Sequence, residues 1–336
     1  MFYKEFMLKK IGYTLCLLLV YLGCTAQSSR DLFYFLSADS LLGVKDGEDN
    51  IVIPAKHEPF WVDEEDFSNA ITDRIILLLP HGSRPQKQPY SYGLAYDREG
   101  HIRYAPYLFD NGPDYIVEGL RRYVENGKMG FVDRDGNKVI PAQWDWASAF
   151  NCGIAMVCNH CQFDYTKDQE HPPLDLSKAK TMFIDQQGNE IIPLKRRHHA
   201  KDLILNGVYF SYPFHYSRQE KKLFKPLNDV NKRISKAYFV NWFSPLSPKE
   251  RTLHYEIVER PSTHFPYHII QAFYRLNSGE YQKADLQFCA DTKGEIYYLP
   301  FDQDVDRKIP LLDWLINDEA DARHYSKEHG DAPYRY

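Results

Sequence analysis

One short phrase, repeated along the first two thirds of the chain, limits what it can fold into. Residues 130–141 read Gly130-Phe131-Val132-Asp133, then the turn residues Asp135-Gly136-Asn137, then Val139-Ile140-Pro141. Two apolar runs around an Asp-Gly-Asn turn predict a β-hairpin. The phrase recurs from Met182 through Gly188-Asn189 to Pro193, and from Gly43 through Asp49-Asn50 to Pro54. A copy with one extra residue runs from Gly93 through Gly100 to Pro106. The closing prolines are therefore 54, 106, 141 and 193, at steps of 52, 35 and 52 residues. The middle step is the compact unit, and the outer steps carry insertions. A lone hairpin is marginal in water, so such units are expected to stack and bury one another's apolar faces.

The third copy continues with Trp144-Asp145, Phe150 and Gly153-Ile154-Ala155-Met156-Val157. With that continuation the pattern resembles the WG-repeat family of bacteria. Its units run from a glycine-aromatic strand through an aspartate turn and a proline to an aromatic-acid pair and a final apolar strand. Asn126–Val157 carries most of the resemblance. Gly93–Tyr123, with Phe109-Asp110 and Glu118-Gly119-Leu120, is less close, and Gly43–Glu58 and Thr181–Pro193 are looser still. The tryptophan that names the family is replaced before each copy by Leu42, Tyr92, Met129 or Thr181. After Pro193 the aromatic-acid pair gives way to Arg196-Arg197-His198-His199, which marks the expected end of the array. The resemblance implies a building block for binding or scaffolding, and brings no reaction with it.

The N-terminus predicts export. Lys4, Lys9 and Lys10 precede an apolar run, Ile11–Gly23, too short to cross a bilayer but suited to a signal peptide. Leu22-Gly23-Cys24 resembles a lipobox and predicts lipidation at Cys24, although Tyr21 stands where the usual leucine would be. Cleavage before Gln27, after Cys24-Thr25-Ala26, is the other exit. The chain is then expected in the cell envelope, as a membrane-anchored lipoprotein or as a periplasmic or secreted protein, touching the membrane only through that anchor. Net charge is -5 and no long basic run is present, so nucleic acid is not an expected partner. Aromatics reach 15%, with 25 tyrosines, which suits half-wet strands and cores first and ligand surfaces second.

From Lys201 the phrase stops. Asp229–Phe243 carries a helical stripe at Val230, Ile234, Ala237, Tyr238 and Trp242. Strand-like runs follow at 253–258, 268–276, 284–290 and 295–299, and Pro310 opens a second helix. The expected fold is thus mainly β: an array of hairpin repeats followed by a smaller α+β domain with an antiparallel sheet. The element order would suit a curved sheet of the cystatin-like or NTF2-like kind. The expected segments are a signal peptide at 1–26, a linker at 27–37, the repeat domain at 38–200 and the α+β domain at 201–336. The two domains are expected to fold separately, with their boundary near Lys195–Asp202.

Cys158-Asn159-His160-Cys161 is the sharpest local constellation. A thioredoxin-type redox pair needs a helix after the first thiol, and residues 162–175, interrupted by Pro172-Pro173, show no helical stripe. Cys158, His160, Cys161 and His171 have the softness for zinc, but their spacing is irregular. The plainer expectation is a loop with free thiols or a structural disulfide. If 153–158 is extended, Cys152 and Cys158 lie too far apart to bond, while Cys158–Cys161 and Cys152–Cys161 stay open. The basic run around Arg196-Arg197 is read as a solvated linker that could meet an anionic glycan or lipid headgroup. No linear motif of a nucleotide site, zinc protease or serine hydrolase is present. No catalytic residue or cofactor is assigned. The leading expectation is an envelope protein that binds or scaffolds a protein or glycan. The alternative is a hydrolase or other enzyme with its site in the C-terminal sheet.

Overall fold

The computed structural model describes residues 31–60, 62–82, 90–169, 172–241, 246–301 and 303–329. The apolar N-terminal run, Cys24 and His171 lie outside these residues.

The repeat phrase builds four antiparallel three-stranded meanders. Their strands are Leu32–Leu36, Leu42–Asp46 and Ile51–Glu58, then Ile76–Pro80, Leu94–Tyr96 and Ile102–Pro106. Leu120–Glu125, Lys128–Asp133 and Lys138–Trp144 follow, and Ala155–Asn159, Lys180–Ile184 and Glu190–Ile191 complete the set. The first three meanders join end to end into a nine-stranded sheet, through the pairs His57↔Pro80 and Pro106↔Tyr123. The fourth forms its own sheet with the short strand Trp146–Ala147 at one edge. Each unit therefore begins one strand before its glycine. The apolar strands that end the sequence phrase, at Leu120 and Ala155, pair with the following copy. Leu32–Leu36 plays this part for the first copy. The expected linker at 27–37 is thus corrected: five of its residues are a strand, because the first meander needs a partner for Leu42–Asp46.

The turns explain the invariant look of the phrase. In each copy an aspartate opens the turn, and its carboxylate accepts backbone N–H groups ahead of it: Asp46 from Glu48 and Asn50, Asp97 from Glu99 and His101, Asp133 from Asn137, Asp185 from Gln187 and Asn189. This is the side-chain-mimics-turn chemistry of short polar residues. The glycine-proline pairing has a steric cause. A Cβ on Gly130 would come within 2.5 Å of the Ile140 carbonyl oxygen and 2.6 Å of the Ala142 nitrogen. Gly43 faces Ile53 and Ala55 in the same way. Pro141 and Pro54 sit between those contacts, where the strand register shifts. Proline is tolerated at such bulges because no ladder hydrogen bond is lost there.

The C-terminal part is a five-stranded antiparallel sheet in chain order: Leu253–Glu259, His268–Arg275, Tyr281–Ala290, Ile296–Leu299 and Ile309–Pro310. Two helices, Glu220–Asn241 and Leu311–His329, pack on one face over Tyr255, Ile270 and Phe288, to which the second helix brings Leu315. The first helix starts nine residues before the expected Asp229. A reciprocal capping box sets that start: Ser217 N–H donates to the Glu220 carboxylate, and Glu220 N–H donates to the Ser217 hydroxyl. The hairpin at Asp291 repeats the array's turn, with its carboxylate accepting from Lys293 and Glu295. The structure is mainly β, a repeat array with an α+β part behind it.

The expectation of two independently folding halves meets a core that crosses their boundary. Cys152 and Ile154 from the array share one apolar cluster with Leu203, Phe210, Val258, Phe273 and Leu299. A hairpin not read in the sequence, Leu203–Leu205 with Val208–Phe210, lies at this seam. Arg134, at the tip of the third copy's turn, clamps the seam. It makes paired hydrogen bonds to Glu259 at 2.9 and 2.8 Å, donates to Gln303 at 2.7 Å, and lies 4.0 Å over the Phe265 ring.

Candidate functional site

A cleft of about 910 Å³ opens beside the edge strand Leu253–Glu259. Its other walls are the first long helix, through Phe224, Asn228 and Asn231, and the irregular segment that leads from the basic run to Tyr216. An exposed sheet edge is normally covered, and here side chains cover its ends. Ser235 Oγ accepts from Leu253 N–H, Asn231 Nδ2 donates to the Leu253 carbonyl, and Tyr216 Oη accepts from Ile257 N–H.

Glu256 lies in the cleft wall and is only 6% exposed. Three phenols donate to it. Tyr212 and Tyr216 share one carboxylate oxygen, the first at 2.7 Å, and Tyr281 reaches the other at 3.2 Å. Burial pushes the Glu256 carboxyl up from its usual range, against the pull of those hydroxyls. Burial and the carboxylate together hold all three tyrosines far above their ordinary ionisation. The cleft also holds His254, whose pKa is lowered by burial and by Arg275. Lys201 stands 5.2 Å from the Tyr212 ring and Arg275 lies 5.3 Å over Tyr281. With Arg197 and Lys221, four cations line a cleft whose one acid is Glu256.

Both Glu256 oxygens already accept hydrogen bonds, so the carboxylate fixes three aromatic walls in place. Cys152, which senses Glu256 electrostatically, is a buried thiol raised well above its ordinary pKa, so it is no ready nucleophile.

The residues singled out by sequence lie elsewhere. Cys158 and Cys161 form a disulfide, one of the two bonds left open by strand geometry, and Cys152 is free. The bond occupies both sulfurs that a zinc site would need, which corrects those weak candidates. His160, between them, sits in a left-handed turn, with its N–H on the Asp145 carboxylate at 2.6 Å. Among the described residues no group of three or more histidine, cysteine or acidic side chains is placed to hold a metal. Of the basic run, Arg197 reaches the cleft, with nearby Lys201; His198 and His199 are instead pinned through their N–H groups by Asp202. Sequence reading missed Glu256 and its tyrosines. Its signal was an acid between Tyr255 and Ile257 in a strand with few exposed positions.

Residues 129–160 match the model of the WG containing repeat. This segment is similar to a WG repeat, and the rest of the chain is matched by no family model. A WG repeat suggests a repeat-based protein of the binding or scaffold type. No curated protein matches the chain. Among solved structures, a chain described as the crystal structure of the eukaryotic initiation factor is similar at 10% identity over 82% of this chain and 60% of its own length, with a TM-score of 0.18. A likeness at that score carries no argument about fold or function. No described helix is long and apolar enough to cross a membrane.

Proposed function

We propose that this chain is an exported cell-envelope binding protein in which the repeat array is the scaffold and the C-terminal cleft captures an anionic ligand. The observation that carries the reading is the lining of the cleft. Lys201, Lys221, Arg197 and Arg275 face a site whose sole acid is saturated by tyrosine hydroxyls, while the chain as a whole is negative. A cleft lined by one sign of charge between low-dielectric walls focuses its field on a ligand of the other sign. Aromatic walls held rigidly by Glu256 lower the cost of ordering on binding. Export rests on the lysine-flanked apolar run before Cys24.

Titration of the full chain with a hexaglutamate peptide and with tripolyphosphate tests the ligand class. Binding by at least one probe is expected, weakened by added salt, and lowered about tenfold in the K201Q/R275Q double variant. Silence from both probes would refute the anionic reading. Fractionation of cells tests export: wild type is expected in the membrane fraction and Cys24→Ser in the soluble one. A wild type already soluble, starting at Gln27, would remove the lipid anchor.

A second reading, hydrolysis, is favoured by one observation: a raised carboxyl, Glu256, lies with His254 in a concave site. It would require turnover that Glu256→Gln abolishes.

A further inference from the structure

A second cavity, about 310 Å³, lies where the array meets the face of the C-terminal sheet. It is separate from the cation-lined cleft and shares no lining residue with it. We infer that it is a saccharide site, built to take a neutral glycan chain across the seam between the two parts of the molecule.

Three features point there. The first is a run of aromatic rings at its mouth. Tyr115 and Phe301 line the cavity, with ring centroids 5.9 Å apart, and Phe109 continues the run at 6.2 Å from Tyr115. Tyr115 is 54% exposed and Phe301 80% exposed, and with Phe109 they form a contiguous aromatic patch rather than scattered side chains. Exposed ring faces suit the C–H faces of sugar rings, while the sugar's hydroxyls need polar partners beside them.

The second feature supplies those partners. A chain of amides crosses the cavity floor: Arg134 donates to Gln303, Gln303 to Gln287 at 3.1 Å, and Gln287 to Gln271 at 2.7 Å. Gln271 is fully buried and donates to the carbonyls of Ala284 and Leu286, where the strand register is irregular. The register irregularity re-aims side chains, as bulges near binding sites often do. Gln271 anchors the chain, while Gln287 and Gln303 are held in orientation and each keep a hydrogen-bonding position to spare. Lys283 and Asp285 add one charge of each sign, and Arg121 adds a further positive charge. Arg134 is already neutralised by Glu259. The lining thus offers donors and acceptors together, which suits hydroxyl groups, where the other cleft offers cations.

The third feature is an orphan. Arg121 lines the cavity, and its buried Nε has no hydrogen-bond partner, although its Nη1 donates to Tyr104. A buried unsatisfied donor costs on the order of 1–3 kcal/mol, so native sites rarely leave one unless a ligand or water completes it. A volume at the low end of the range for ligand pockets fits one sugar ring inside, with the neighbouring ring over Phe301 or Tyr115.

Saturation-transfer NMR and calorimetry on the full chain with cellohexaose, chitohexaose and maltohexaose test the inference. At least one is expected to bind. The Y115A/F301A double variant should weaken it about tenfold with an unchanged melting midpoint, because both side chains are exposed. Phe301→Trp should retain binding, and K201Q/R275Q in the cation-lined cleft should leave it unaffected. No binding by any of the three at millimolar concentration would overturn the inference. So would binding that survives Y115A/F301A, or that is lost only in K201Q/R275Q. Failure here leaves the cation-lined cleft untouched, since its probes and variants are different.

Discussion

The array and the C-terminal sheet use the same turn and spend their polar groups differently. In the array, Asp46, Asp97, Asp133 and Asp185 are all consumed by the backbone of their own turns. Glu118, fully buried, likewise accepts from the Cys152 and Gly153 N–H groups and ties one unit to the next. In the C-terminal sheet, Asp291 repeats the turn, but Glu256 and Gln271 are buried on the sheet and organise side chains that line cavities. Polar chemistry turned inward on the backbone makes a scaffold. Polar chemistry aimed at a concave surface makes a site. Under the proposed function, the repeats serve as scaffold and the concave surfaces take the ligands.

The sharpest way to break this comparison is to damage the scaffold alone. Gly130→Ala should cost about 3 kcal/mol, since its Cβ meets backbone atoms that cannot yield. Urea melts measure this, and a loss under about 1 kcal/mol would mean that the repeat glycine is not sterically required. Next in size is the seam. Arg134→Ala removes the paired bonds to Glu259 and the bond to Gln303, and should cost about 2 kcal/mol. Because the core cluster crosses the boundary, residues 201–336 expressed alone should show reduced cooperativity by thermal circular dichroism. A fragment that melts as sharply as the full chain would make the halves independent.

Smaller still is the disulfide. Cys158 and Cys161 are three residues apart, so the closed loop is short. Changing both to serine should cost about 1–2 kcal/mol and create no loss of any activity. Insulin reduction by wild type that vanished in this variant would contradict a structural role. The smallest effect is a slope. The folded Glu256 carboxyl has a pKa above its ordinary 4.5, so the folded chain holds that proton longer than the unfolded chain does. Stability from this group is full below about pH 4.5 and falls as pH rises through the folded pKa. Glu256→Gln should remove that decline, seen as a difference between wild type and variant that changes with pH in denaturant titrations. A difference constant across the range would show that Glu256 is not perturbed.

The array was legible because its signals are local. Glycine, aspartate and proline act within a few residues of themselves, so the turns at Asp133 and Asp185 could be read directly from sequence. Leu32–Leu36 was missed because a strand without its own turn gives no local mark. The C-terminal strands were legible from their turns, and the helix start at Ser217 was missed although its capping box is written in the sequence. The cleft was not legible. Tyr212, Tyr216 and Tyr281 reach Glu256 from 44, 40 and 25 residues away, and no spacing rule links them. Cys158, His160 and Cys161 drew attention because they are adjacent in sequence, which is a poor guide to what converges in space.

The central proposal, that the cation-lined cleft rather than the outer surface of the repeats captures the anionic ligand, is tested most directly by calorimetric titration with hexaglutamate and tripolyphosphate at low and high salt. Wild type is compared with K201Q/R275Q and with a surface array variant, Lys138→Gln. The account expects salt-sensitive binding by wild type and by Lys138→Gln, and about tenfold weaker binding by K201Q/R275Q. Equal affinity in all three proteins, or a loss confined to Lys138→Gln, would contradict it.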